Sequence, residues 1–250
     1  MKNQKGEMIM LEFMKQYFPK LLTFIVALLI FFQVLPPDYD PFDDGSSTTI
    51  VEIDDESSNP SKWSVEHIVE YYKNATAATS GQSVQSFEVL ELPSIINSLK
   101  NVINSALSQN SISFDGITGG YENLTASDLK SAKAYLLGNY IYMNLIPVEQ
   151  VDGIYGKKKE GSVGHVVDVL DGVATAVQAI GLPAEYPDGS VTLYYKNAYA
   201  KNIIINTKTG VIVSGEWGYD LYVTINGAKL SVITLKDVEA AFSYKVKYPA

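Results

Sequence analysis

The chain has 250 residues, 46% of them hydrophobic and 19% charged, which is enough apolar material for a sizeable core. Its 19 basic residues are all lysines against 28 acids, a net charge of −9, so the basic stripe and guanidinium forks of a nucleic-acid binder are missing. Zero cysteines exclude disulfide frameworks, thiolate metal sites, cysteine nucleophiles and a lipidated leader, and leave two histidines for imidazole chemistry.

At the start, Leu21 to Leu35 is apolar except for Thr23 and Gln33, with Lys2, Lys5, Lys15 and Lys20 upstream. Fifteen helical residues rise only about 22 Å, so a span borrows Tyr17 and Phe18 and lets Lys20 snorkel. Pro36, Pro37, Asp38 and Tyr39 lack the small-residue pattern of a cleavage site, so an uncleaved anchor is favoured over a cleaved signal. Residues 1–35 hold four lysines and two acids, whereas residues 36–250 hold fifteen lysines and twenty-six acids. The positive-inside rule then predicts a single-pass protein of the cell membrane, with a cytoplasmic N-terminus and an extracellular C-terminal domain. Residues 36–60, rich in Asp, Ser, Thr and Pro, read as a disordered acidic linker with no calcium-loop spacing.

The folded domain is expected over 61–250. Ser64 is the expected N-cap of a helix to about Thr79, with Val65, Ile68, Val69 and Tyr72 on its apolar side. A strand follows over Ser86–Leu92. Pro93 then opens a second helix whose apolar face is Ile95, Ile96, Leu99, Val102, Ile103, Ala106 and Leu107. Gly138-Asn139 signals a turn between strands Leu129–Leu137 and Tyr140–Glu149. The stretch Ser162–Ile180 reads as a third helix, carrying Val163, Val166, Val167, Leu170, Val173, Ala174 and Val177, ended by Gly181 and Pro183.

The last seventy residues read as a meander of strands near Val191–Tyr195, Ala198–Asn206, Val211–Ile225, Ala228–Thr234 and Val238–Lys247. Thr209-Gly210 and Asn226-Gly227 are the expected hairpin turns, with glycine at positive φ. Alternation puts Trp217, Tyr219, Leu221, Val223 and Ile225 on one face, and Val238, Ala240, Phe242, Tyr244 and Val246 likewise, leaving the other face wet. Gly215 and Gly218 are read as a bulge or coil in the long strand. The fold class is therefore α+β: a long curved antiparallel sheet packed on amphipathic helices, preceded by one transmembrane helix.

Chemistry is sparse. His165 has Asp168 and Asp171 one and two helical turns on, and His67 lies near Glu66 and Glu70; both histidines are read as structural. No nucleophile elbow, Walker loop or dinucleotide fingerprint occurs, Gly119-Gly120 included, and no metal or cofactor is expected. Asn74-Ala75-Thr76 and Asn123-Leu124-Thr125 are glycosylation triplets. The aromatic strands read first as a sheet face packed on the helices; the sharper alternative is an apolar groove between sheet and helices, lined by Trp217, Tyr219, Leu221, Phe242 and Tyr244.

Residues 161–181 (GSVGHVVDVLDGVATAVQAIG), 191–230 (VTLYYKNAYAKNIIINTKTGVIVSGEWGYDLYVTINGAKL) and the final AAFSYKVKYP carry a resemblance. Over about Trp63 to Tyr248 the chain resembles a family of uncharacterised exported, membrane-anchored proteins of Gram-positive Clostridia. The resemblance implies an export segment, an acidic linker and one domain, and supplies no catalytic residues. More remotely, the architecture is similar to lipoprotein-carrier and tubular lipid-binding folds, an analogy that does not fix function. The expectation is a non-catalytic extracytoplasmic binding module, with a lipid or other apolar envelope ligand as its partner. The alternatives are a structural or protein-interaction component of the envelope and, third, a hydrolase with a carboxylate pair or His165 at its centre, the histidine then meeting a polar group from another element.

Overall fold

A computed structural model describes residues 59–93, 97–108, 112–117, 119–153, 161–167, 169, 184–185, 187, 189–230, 233–234 and 236–249. The expected anchor and nearly all of the expected linker lie outside these residues; among the described residues no helix is long and apolar enough to cross a membrane.

Most of the described chain is antiparallel sheet with a few short helices, as an α+β reading requires. In chain order the elements are α1 (Val65–Ala77), β1 (Gln82–Glu91), α2 (Lys100–Ser108), β2 (Ile112–Asp115), β3 (Leu129–Leu137), β4 (Tyr140–Pro147), β5 (Gln150–Gly153) and α3 (Ser162–Val166). After them come β6 (Ala184–Glu185), β7 (Val191–Asn206), β8 (Ile212–Ile225), β9 (Lys229–Leu230), β10 (Ile233–Thr234) and β11 (Val238–Tyr248). The main sheet has eight strands in the order β2-β1-β11-β8-β7-β4-β3, with β5 also paired to β7.

The first helix starts as its sequence dictates: the Ser64 hydroxyl accepts from the His67 amide, and Ile68, Val69, Tyr72 and Ala75 are buried. It reaches the sheet through Tyr72, which bonds Trp217, and just past its end the Thr79 hydroxyl accepts from the Ile212 amide. The expected hairpin forms as β3 and β4, joined across Gly138 at φ 62°.

The second helix is shorter than its periodicity suggests. A 3-10 turn at Asn97–Leu99 leads into α2, and Val102, expected on the apolar face, is 67% exposed. The face that meets β1 carries Lys100 and Asn104, and Val102 lies 200° around the helix from each. Asn104 donates to the Val89 carbonyl and accepts from the Val89 amide, as a neighbouring strand would. It does so beyond Gln85, where pairing with β2 stops.

The third helix departs furthest from expectation. It ends at Val166; Val167 is extended at φ −132° and ψ 141°, and Val167 and Val169 are buried. Consecutive β-branched residues favour that extended exit. Asp168 and residues 170–183, with the rest of the expected helix, lie outside the described residues.

Strand β7 corrects the meander. The two strands expected either side of Lys196-Asn197 are one strand of 16 residues, containing two bulges at Asn197 (φ 52°) and Asn202 (φ 53°). Each inserts one extra residue against β8, and asparagine tolerates the left-handed conformation required. The inward set therefore runs Val191, Leu193, Tyr195, Ala198, Ala200, Ile203, Ile205, slipping by one residue at each Lys-Asn pair.

Gly215 and Gly218 are not bulges, because β8 pairs with β11 without interruption from Val238↔Ile225 to Tyr248↔Gly215. They are places of close approach. A Cβ on Gly215 would lie 2.4 Å from the Trp217 ring, and one on Gly218 would lie 2.6 Å from the Tyr244 carbonyl. Asn226-Gly227 does turn, with Gly227 at φ 90°, but it makes no hairpin with β8: β9 instead joins β6 and β10 in a separate three-stranded sheet.

Candidate functional site

Trp217, Tyr219, Leu221, Phe242 and Tyr244 share one face, as alternation predicts, and that face is the packed interior. All five are buried members of one hydrophobic core. Trp217 donates to the Tyr72 hydroxyl at 2.8 Å, Tyr244 donates to Gln85 at 3.2 Å, and the Tyr219 ring lies 5.2 Å from both Tyr195 and Tyr244. Their side chains fill the region where a groove was expected, so none of the five lines a cleft open to solvent. Burial pushes the Tyr72 phenol up to about 12 even though the Trp217 hydrogen bond works the other way.

His165 does meet a polar group from another element, but not Asp168 or Asp171, which lie outside the described residues. Its Nδ1 lies 3.0 Å from Oδ2 of Asp128, the last residue of a 3-10 turn at Ala126–Asp128. The same oxygen accepts from the Thr125 amide and hydroxyl at 2.9 and 2.8 Å, and Ser162 donates to Oδ1 at 3.2 Å. Burial raises the Asp128 pKa, but hydrogen bonds from His165 and Thr125 outweigh it and hold the carboxyl below its ordinary value. A carboxylate orienting an imidazole is half of a triad. The hydroxyls here are turned to Asp128, and among the described residues none bonds the histidine ring. The arrangement ties α3 to the 3-10 turn.

A second polar junction lies beside it. Gln150 accepts from the amides of Val163 and Gly164 at 3.0 and 3.1 Å, supplying from β5 the N-terminal cap that Gly161 cannot. Its amide donates at 2.8 Å to Asp152, whose other oxygen is buried without a partner among the described residues. The glycines of this region are spacers: a Cβ on Gly161 would lie 2.2 Å from Gln150, and one on Gly119 would lie 2.8 Å from the Val166 carbonyl. Gly120 donates to the Gly164 carbonyl. These contacts explain Gly119-Gly120 and the GSVGH run by packing rather than by phosphate binding.

His67 packs its ring 4.5 Å from Trp63. A shallow hollow of about 320 Å³ beside α1 is bordered by Glu66, Glu70, Lys73, Asn74 and Thr125, none of them among the expected groove residues. Asn74 and Asn123, the first residues of the two glycosylation triplets, are exposed.

The outward face of the sheet carries an ordered polar and aromatic array. Tyr199 lies across Gly218 and donates to Glu216 at 2.7 Å, while Lys201 pairs with the same carboxylate at 2.8 Å and sits 4.1 Å above the Tyr199 ring. Burial and the Glu216 charge raise the Tyr199 pKa. Burial raises that of Glu216, but Lys201 overrides it and leaves the carboxyl lowered. Lys196 lies over the rings of Tyr194 and Tyr222 at 5.5 and 5.2 Å.

At the hairpin end this polar character gives way. Tyr135 and Tyr142 stack at 5.1 Å, and beyond them Leu136 (47% exposed), Leu137 (62%) and Tyr140 (39%) stand in solvent. Leu136 is an inner-face residue by register, opposite buried Ile141, and it is exposed because β3 is the edge strand of the sheet. The β7–β8 turn is fastened alongside, because the Thr207 amide and hydroxyl both donate to the Asn139 carbonyl at 3.0 Å. Sequence reasoning located the hairpin and its turn but read nothing into the YLLGNY run at its tip, although two leucines and two tyrosines around a tight turn were the available signal. No family model matches this chain, and neither the curated proteins nor the solved structures searched contain a significant match to it.

Proposed function

We propose that the protein is a non-catalytic binding module of the cell envelope, held at the membrane by Leu21–Leu35 with its sheet domain outside, and that it engages its target through the β3–β4 tip. The exposed tip carries the reading: three large apolar side chains gathered on one turn are the kind of surface that marks a contact site. The charge difference between residues 1–35 and 36–250 supports the orientation. An apolar ligand held between sheet and helices is a weaker form of the same reading, since the residues expected to contact it are occupied with one another. A triad form of the hydrolase alternative is the less favoured, since among the described residues no hydroxyl bonds the His165 ring.

Site-directed photocrosslinking in intact cells tests the reading, and the absence of native cysteine makes single labels clean. With Leu137→Cys carrying a photoreactive maleimide, specific adducts to envelope protein or lipid are expected, and few from Glu239→Cys at the opposite end of the sheet. Equal background yields at both positions, or a Glu239→Cys that no membrane-impermeant maleimide reaches from outside, would overturn it.

A further inference from the structure

Resting on that reading, we infer that the partner of the tip is the interfacial region of an anionic lipid bilayer, into which Leu136, Leu137 and Tyr140 insert.

Three observations converge. First, the apolar side chains are arranged for shallow insertion: Leu136 and Leu137 project to opposite faces beside a two-residue turn, Tyr140 pairs with Leu137 across it, and the stacked Tyr135 and Tyr142 follow on the same outer face just behind. Tyrosine favours the headgroup level because its ring is apolar and its hydroxyl is polar.

Second, the charge nearest the tip is of the right sign, with Lys208 and Lys133 closest to it and Lys130 about 23 Å back along β3. In a chain of net charge −9, residues 129–148 hold Lys130 and Lys133 and no acid, and residues 198–215 hold Lys201 and Lys208 and no acid. Lys201 is committed to Glu216, whereas Lys130, Lys133 and Lys208 form no ion pair among the described residues. Lys208 belongs to the turn fastened to Asn139, which sets it beside the tip. A protein partner matched to this acidic chain would be basic and would be repelled at this corner; an anionic lipid surface is attracted to it.

Third, the tip is braced. The Tyr135–Tyr142 stack, the Thr207–Asn139 hydrogen bonds and the Asn144 side chain accepting from the Asn202 amide fix two turns as one end of the sheet. The apolar residues are therefore presented without an ordering cost at the moment of contact.

The test uses the full chain reconstituted in vesicles of phosphatidylcholine with phosphatidylglycerol, and in vesicles of phosphatidylcholine alone. An environment-sensitive fluorophore is attached at Leu137→Cys or, as a control, at Glu239→Cys. The label at 137 is expected to shift to the blue in the anionic vesicles and to be quenched by brominated acyl chains, while the label at 239 stays in water. Combining Lys133→Glu and Lys208→Glu is expected to cut the inserted fraction about tenfold and leave thermal unfolding unchanged. A label at 137 that stays water-exposed in anionic vesicles overturns the inference, as does insertion that ignores both lipid charge and the lysine reversals. If the label stays wet in vesicles while the same position crosslinks to an envelope protein in cells, the lipid inference fails and the binding-module reading stands. If neither occurs, both fail.

Discussion

Trp217 and Tyr72 stand 145 residues apart in sequence and 2.8 Å apart in the core, the indole N–H donating to the phenol oxygen with both side chains fully buried. This bond pins α1 to the centre of β8. Tyr72→Phe keeps the ring and removes the acceptor, so a buried N–H loses its partner at a cost of about 1–3 kcal/mol. At about 2–4 °C for each kcal/mol in a domain of this size, the melting temperature followed by circular dichroism should drop measurably. Adding Trp217→Phe should cost less than the sum of the two single changes, because the bond is already gone.

The bulges of β7 make a prediction about asparagine itself. Asn197→Gly should be tolerated, since glycine adopts φ near 52° without strain. Asn197→Val should destabilise by about 1–2 kcal/mol from its left-handed backbone alone, and it also loses the hydrogen bond to Asp220. Valine is the better strand former, so the opposite ranking in a thermal melt would mean that the bulge is not held at this residue.

Acid titration should report Asp128. Its folded pKa lies below its ordinary value of about 3.9, so its stabilising contribution is complete above that value and is lost as pH falls through the lower folded pKa. Asp128→Asn should therefore lower stability at neutral pH and flatten the decline below about pH 4. Glu216 titrates in the same direction, so part of the slope should survive and shrink further on adding Glu216→Gln. A variant whose acid limb superimposes on that of the wild type would exclude Asp128 from this role.

Gly161→Ala tests the close approach of Gln150. The added methyl cannot coexist with the present Gln150 side chain, which must withdraw from the Val163 and Gly164 amides. The expected loss is about 1–3 kcal/mol, and Gln150→Ala in the same background should then cost little more. Fully additive losses would show that the two residues act independently.

The sequence announces those parts of the fold whose cause is local. The Ser64 cap, the turn at Gly138-Asn139 and the alternation through Trp217 and Tyr244 depend on neighbours in the chain, and each forms where periodicity predicts. Features that depend on a distant partner were hidden. Lys196-Asn197 looked like a break between strands because a bulge and a turn use the same residue types, and only pairing with β8 distinguishes them. Gly215 and Gly218 looked like a bulge or coil because nothing in the sequence reveals Trp217 and Tyr199 lying over them. The groove reading failed for a related reason: an alternating aromatic face looks the same whether it meets a ligand or Tyr72 and Phe87. His165 was assigned neighbours at helical spacing, yet its partner Asp128 lies 37 residues earlier, beyond the reach of any spacing rule.

The side chain of Asn104 impersonates a strand at Val89, and that disguise has an implication for colloidal behaviour. While α2 is docked, the adhesive rim of β1 at that point is shut by a single amide, and another molecule finds no template there. Should α2 peel away, the rim becomes a seed for chain-to-chain annealing. Solubility at high concentration would then hinge on one carboxamide rather than on the overall negative charge.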